Sequence, residues 1–222
     1  MSLAMRNVKA GSGAAAKRNE RARATRLRIT KVAYRLFADR GYAGTEMSDI
    51  AREAGVAVQT VYFIFHTKAE LLSRAYDLAV LGEDDPRPPE EQPWHAAMAA
   101  EPNVAFALRH AVDEIGVILD RATPLDTLIR ASAEGDPETS RVRARHERWR
   151  AEGYRRMLDI LTAKAPLRDG VGTERATQLL LLYIGMDMYR VLVLDFGWTR
   201  EEWIGWTVAT LNEHLFARTE AD

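Results

Sequence analysis

Cysteine is absent from the 222-residue sequence. That excludes a disulfide framework, thiolate-held metal, iron–sulfur clusters and a cysteine nucleophile. Long apolar runs are scarce as well. In the apolar C-terminal part the longest uncharged stretch, between Arg175 and Asp187, has 11 residues, too few to cross a bilayer. The N-terminus carries positive charge with no apolar segment behind it, so no secretory signal is expected and the cytoplasm is the expected compartment. The five histidines, His66, His95, His110, His146 and His214, never fall three or four apart, so no metal site is expected. No segment alternates apolar and polar residues as a strand does, and none repeats. Neither a phosphate loop nor a nucleophile–base spacing is present, so neither a cofactor nor an enzyme activity is expected.

Net charge is also nearly absent, at -1 from 31 Lys+Arg against 32 Asp+Glu. The total conceals an uneven distribution. Residues 1–80 carry 14 basic and 7 acidic side chains, whereas residues 81–222 carry 17 and 25. A basic end on an acidic remainder points to nucleic acid at one end and a different task for the rest. Hydrophobic residues at 47% and charged residues at 28% fit a globular chain.

Residues 1–24 contain Gly11, Gly13 and six basic side chains against one acid, with no apolar period; they are expected as a flexible basic tail. Two roles are open to it, an arm on DNA and a plain solvated tail. From Thr25 the pattern turns helical. Ile29, Val32, Ala33, Leu36 and Phe37 form one stripe, and Gly41 ends the helix. A short helix is expected from Thr45, a good N-cap, burying Met47, Ile50, Ala51 and Ala54. Gly55 breaks it. A third helix runs from about Ala57 to Phe65, and a fourth opens at the Thr67–Glu70 capping box. Residues 82–93, with four prolines and five acids, read as a loop. Further helices are predicted over 94–100, 103–121, 125–133, 138–164, 174–195 and 200–217, with Pro124 as one of the breaks. The expectation is an all-α fold of about nine helices. Its domains are the tail at 1–24, a helix-turn-helix head at 25–80 and a helical body at 81–222.

Residues 45–65 have the layout of a helix-turn-helix, with Gly55 in the turn. At 100° per residue, Val61 and Phe65 face the first two helices, whereas Gln59, Thr60 and Phe63 point away and Tyr62 lies on the flank. That outer face suits a major groove. Glutamine pairs bidentately with an adenine edge, and Thr or Phe meets a thymine methyl. The Tyr62 hydroxyl suits a phosphate. Lys68 sits at a helix start, where the macrodipole disfavours a cation, so it reads as half of a phosphate site rather than as a merely solvated lysine.

The run from Gly41 to Leu72, with Ala33–Arg40 before it, resembles the DNA-binding signature of the TetR family of transcriptional regulators. The resemblance covers about residues 25–80. It implies a helix-turn-helix over Glu46–Phe65 and a recognition helix over Ala57–Phe65. It further implies phosphate contacts from Tyr62 and Lys68 and a cap of the second helix at Thr45, and the whole DNA-binding set expected is Thr45, Ser48, Val58, Gln59, Thr60, Tyr62, Phe63 and Lys68. Three positions depart from the pattern: Glu46 stands where a second Thr is common, Ala57 where a Ser/Thr cap is frequent, and Ile64 where His or Tyr is frequent. The resemblance implies a dimeric, ligand-responsive regulator, a repressor acting on a quasi-palindromic double-stranded operator.

Beyond residue 82 the resemblance implies an effector-binding and dimerising body. The segment 174–195 is apolar nearly all round and needs protein on both sides. Trp203, Trp206, Thr210, Leu211, His214 and Leu215 give the last helix a broad face, with small Gly205 and Ala209 beside it. A homodimer through the last two helices is expected, with no membrane partner. Candidates to line a pocket for a small hydrophobic or aromatic effector are Trp94, Phe106, His110, Trp149, Tyr154, Tyr183, Met186, Asp187 and Tyr189. Asp187 either anchors a ligand or pairs with Arg190. Two other readings stand beside the regulator: an all-α enzyme and a sequence-neutral architectural DNA-binding protein.

Overall fold

The computed structural model describes residues 4–82, 88 and 91–217, with backbone only for residues 4–15. Among these the chain is helical throughout, without strands apart from an isolated bridge between Leu167 and Phe216. It divides into two units, Met1–Ala75 and Tyr76–Asp222. The division falls inside a helix.

The first unit holds α1 (Ala4–Arg40), α2 (Met47–Glu53), α3 (Val58–Phe65) and the start of α4 (Lys68–Leu81). Its core takes Ile29, Ala33, Leu36 and Phe37 from the periodic stripe of α1, with Val32 only half-buried, Met47, Ile50 and Ala51 from α2, and Val61 and Phe65 from α3. Two glycines with left-handed backbone shape the turns. Gly41 (φ 74°) follows α1 and donates to Phe37 O, and Gly55 (φ 64°) opens the α2–α3 turn. One expectation differs. The segment from Ala4 to Ala24 continues α1 instead of forming a flexible tail. Its seven alanines and its lysines and arginines are strong helix formers, and they outweigh two glycines once a long helix propagates from a nucleated end.

The second unit adds α5 (Pro93–Ala100), α6 (Val104–Ala133), α7 (Pro137–Thr162), α8 (Thr173–Tyr183), α9 (Met186–Tyr189) and α10 (Arg200–Leu215). A π-helical turn, Arg190–Asp195, continues α9 directly. The long helix α6 is central and packs against α5, α7 and α10. Asn103 caps it by accepting from the N–H groups of Ala105 and Phe106.

Two breaks fall elsewhere than the sequence predicts. Pro124 does not end a helix but lies inside α6. The ring removes one main-chain bond, but Ala122, Thr123, Leu125 and Asp126 around it are all buried, so packing holds the helix together. Conversely, 174–195 is not one helix. It breaks at Ile184–Gly185, where Gly185 adopts extended backbone (φ -89°, ψ 161°) and a Cβ would lie 2.0 Å from Leu181 O. Among the described residues Thr173–Asp195 is the one stretch long and apolar enough to cross a membrane by length and composition. Its Asp187 and Arg190 are both ion-paired within the protein.

Candidate nucleic-acid interface and effector cleft

In the first unit, α2 and α3 stand on α1 through Met47, Ile50, Val61 and Phe65, all at most 4% exposed. The opposite side of α3 is open. Phe63 is 82% exposed and Tyr62 50%; Gln59 is exposed and Val58, Thr60 and Ile64 are half-buried. Ser48 is exposed on α2. Gln59, Tyr62 and Phe63 are thus exposed as the angular reading expects, whereas Thr60 is half-buried. Arg26 of α1 lies over the Phe65 ring at 5.7 Å, and Arg35–Glu53 and Arg40–Asp49 pairs join α1 to α2.

Thr45 requires a correction. It is neither the cap of α2 nor on the outer surface. Glu46 is the N-cap, and it makes no side-chain cap bond. Thr45 is fully buried and its hydroxyl donates to Leu36 O (3.0 Å) and Gly41 O (2.8 Å). It pins the end of α1 to the start of α2 from inside. Ala57, the N-cap of α3, has no side chain able to cap.

Lys68 is used internally. Its ammonium donates to Tyr42 O (3.0 Å) and Thr45 O (3.1 Å) and lies 4.5 Å over the Tyr42 ring. Those two bonds use two of its three N–H donors. Spacing does not single out Tyr42, because a carbonyl acceptor and a ring under a lysine leave no signal in the sequence. His66 is also missed. It separates α3 from α4 with φ 55° and ψ -52°, and Thr67 N donates across it to Phe65 O (2.5 Å). This is a γ-turn of the rare strained kind at a non-glycine residue. Thr67 then caps α4 by accepting from Glu70 N.

In the second unit the nine residues expected around an effector separate. A cleft of about 290 Å³ is lined by Arg130, Glu147, Arg150, Tyr154, Leu181, Leu182, Gly185, Met186 and Asp187. Only Tyr154, Met186 and Asp187 of the expected set are there. Phe106 and Trp149 are mostly exposed, His110 is exposed, and Trp94 packs edge-on against His95. Tyr183 lies against Trp206. Tyr189 is buried, its hydroxyl bonded to the Asp120 carboxylate. Asp187 pairs with Arg130 (3.1 Å), not with Arg190, which binds Asp195.

Charge builds the floor of the cleft. Asp126, 7% exposed, accepts from Arg130 Nε (2.7 Å) and Arg150 Nη1 (3.1 Å). Arg150 Nη1 also lies 3.2 Å from Met186 Sδ. Burial pushes the Tyr76 and Tyr154 hydroxyls above the ordinary phenol range. Both therefore stay protonated and donate, Tyr76 to Met186 Sδ (3.7 Å) and Tyr154 to Ile184 O (2.7 Å). Tyr76 belongs to α4, and its ring stacks 4.3 Å from that of buried His146, which pairs with Asp77 (3.4 Å). The spacing of Glu147, Arg150 and Tyr154 on one face of α7 is a signal that could have pointed here.

The chain's resemblances match this division. The family described as "Bacterial regulatory proteins, tetR family" matches residues 29–75. The transcriptional regulator AcrR of Shigella flexneri is 37% identical over 65 residues, which is 29% of this chain and 30% of that protein. TtgR of Pseudomonas putida is 43% identical over 58 residues, 26% of this chain and 28% of that protein. The chain thus aligns with about three-tenths of these relatives' length. Among solved structures, NalD of Pseudomonas aeruginosa, the secondary repressor of the MexAB-OprM multidrug efflux pump, has a TM-score of 0.69 at 21% identity, covering 90% of this chain and 100% of that one. FadR of Bacillus subtilis in complex with stearoyl-CoA has a TM-score of 0.65 at 15% identity, covering 83% and 96%. At those identities the likeness is one of fold.

Proposed function

We propose, from the match of residues 29–75 to the tetR family of bacterial regulatory proteins, that the chain is a member of that family and a transcriptional repressor that a small effector releases from DNA. The observation that carries the reading is the outward side of α3. Gln59, Tyr62 and Phe63 stand exposed on a helix whose other side is locked by fully buried Val61 and Phe65. A rigid short helix with a polar reader and an exposed aromatic fits a major groove. Gln59 reads an adenine edge, Thr60 and Phe63 meet thymine methyls, and Ser48, Tyr62 and the third N–H of Lys68 reach phosphates.

The operator is a quasi-palindrome read by a homodimer, with half-sites about 34–36 Å or slightly more apart. The dimer forms through α8 and α10. Tyr183, Trp198 and Trp206 cluster there beside exposed Phe196, with small Gly205 and Ala209 exposed on α10. Such an apolar patch suits an isologous contact. The effector occupies the cleft between α6, α7 and the α8–α9 break. The protein works in the cytoplasm, and catalysis is not part of its function.

Electrophoretic mobility shift on DNA flanking the gene tests the reading. Gln59→Ala should cost about 1–3 kcal/mol on the operator and leave random DNA unaffected. Equal loss on both would identify a sequence-neutral architectural protein instead.

A further inference from the structure

We propose that the cleft holds a small amphipathic organic anion, its carboxylate on Arg150 and Arg130 and its hydrocarbon along Leu181, Leu182 and Met186. The inference rests on the reading of this cleft as the effector site, and it names the class of effector.

Arg150 carries most of the weight. Its side chain is only 20% exposed, and its contacts are one oxygen of Asp126 and the Met186 thioether, both on Nη1. Its Nε and Nη2 have no partner among the described residues. A guanidinium presents five N–H donors, and a thioether is a weak acceptor for any of them. A buried cation so poorly matched favours an incoming oxygen anion, and a carboxylate fits the guanidinium fork in bidentate fashion. Asp126 cannot answer that demand alone, because its second oxygen is held by Arg130.

The acidic groups around the cleft are already engaged. Asp126 serves two arginines, Glu147 is bound by Arg143 (2.8 Å), and Asp187 by Arg130 (3.1 Å). A cationic ligand would have to break such a pair, whereas an anion meets donors that stand open. Asp187 is 61% exposed, so its pair with Arg130 is the weak, water-screened kind that a better-buried carboxylate displaces. A neutral aromatic ligand finds no aromatic cage. Tyr154 is the one aromatic ring in the lining, and its hydroxyl is bound to Ile184 O. The apolar wall is aliphatic. The volume of about 290 Å³ lies at the bottom of the range for organic ligands, which favours a short chain.

The test compares octanoate, octanol and octylammonium, one chain with three heads, by titration calorimetry on the full-length protein below micellar concentrations. Octanoate should bind at least tenfold tighter than either of the others. Arg150→Gln should remove that preference, and Arg150→Lys should restore part of it. Because Arg150 also supports Asp126, Leu181→Trp supplies a second variant that fills the cleft and leaves every charge in place; it should abolish octanoate binding with the helical content unchanged. Octanol or octylammonium binding as tightly as octanoate, with Leu181→Trp blocking all three, would overturn the anion assignment and keep the cleft as effector site. Octanoate binding that survives Leu181→Trp, or no octanoate binding at all, overturns the proposal. Tight octanoate binding without operator release would instead overturn the repressor reading and leave the anion site standing.

Discussion

The Lys68 ammonium sits over the Tyr42 ring and donates to the carbonyls of Tyr42 and Thr45, so the first residue of α4 closes the loop that leads into α2. Lys68→Met keeps the aliphatic stem and removes all three contacts. It should destabilise the first unit by about 1.5–3 kcal/mol, the range for hydrogen bonds to a charged group. All five tryptophans follow residue 93, so tryptophan fluorescence reports on the second unit alone. The helical signal in circular dichroism should therefore melt earlier in the variant, with the fluorescence transition unmoved. A lysine that served only a phosphate would leave both transitions in place and lower the salt slope of DNA binding by about one.

Thr45→Val preserves shape and leaves the carbonyls of Leu36 and Gly41 without their buried donor. The expected loss is about 1–3 kcal/mol. Operator affinity should fall only as far as the folded fraction of the first unit falls, and full binding should return on cooling. A loss of affinity at temperatures where the variant is fully folded would place Thr45 on the DNA after all.

Two glycines should answer substitution in opposite ways. Gly55 has a left-handed backbone and open space where a Cβ would go. Gly55→Asn should be nearly neutral, and Gly55→Val should cost about 1–2 kcal/mol in backbone strain. Gly185 has φ -89°, which any residue adopts, but no room, because the nearest atom is a main-chain oxygen. Gly185→Ala should cost about 1–3 kcal/mol or more through overpacking, read by chemical denaturation with tryptophan fluorescence.

Phe196→Glu and Trp206→Glu place charges on the exposed apolar patch of the second unit. Sedimentation should show monomers that keep the helical content of the parent. Operator binding should weaken more than tenfold, whereas a half-site fragment should bind as before. Dimers that persist in both variants would move the interface elsewhere.

The first unit was largely legible in the sequence because its signals are local. An apolar period of 3.6 names Ile29, Ala33, Val61 and Phe65 as core, and the glycines at 41 and 55 mark turns that need positive φ. Thr45 was misread by one position: the same hydroxyl that caps a helix from residue 45 donates inward when the helix starts at Met47. The second unit was harder, because its features depend on what packs against what. Pro124 reads as a stop until its neighbours prove to be buried on both sides, and the apolar run after Thr173 hides a break at Gly185, where a Cβ would meet the Leu181 carbonyl. The cleft escaped for a related reason. Arg130 and Arg150 look like ordinary solvated charges along the chain, and their role appears only when α6 and α7 bring both to Asp126. Of the aromatic residues expected as lining, Tyr154 is in the cleft, whereas Trp94, Phe106, Trp149, Tyr183 and Tyr189 are exposed or packed elsewhere.

The strained turn at His66 bears on how motion reaches the DNA. Two residues join α3 to α4, one of them held at a backbone angle that its side chain disfavours. Such a joint is short and strained. If α3 reads a groove as proposed, a tilt at the start of α4 is expected to carry the end of α3 with it, as a lever carries its short arm. Replacing His66 with glycine would ease the strain and loosen that joint at once, separating the stability of the head from its obedience to α4.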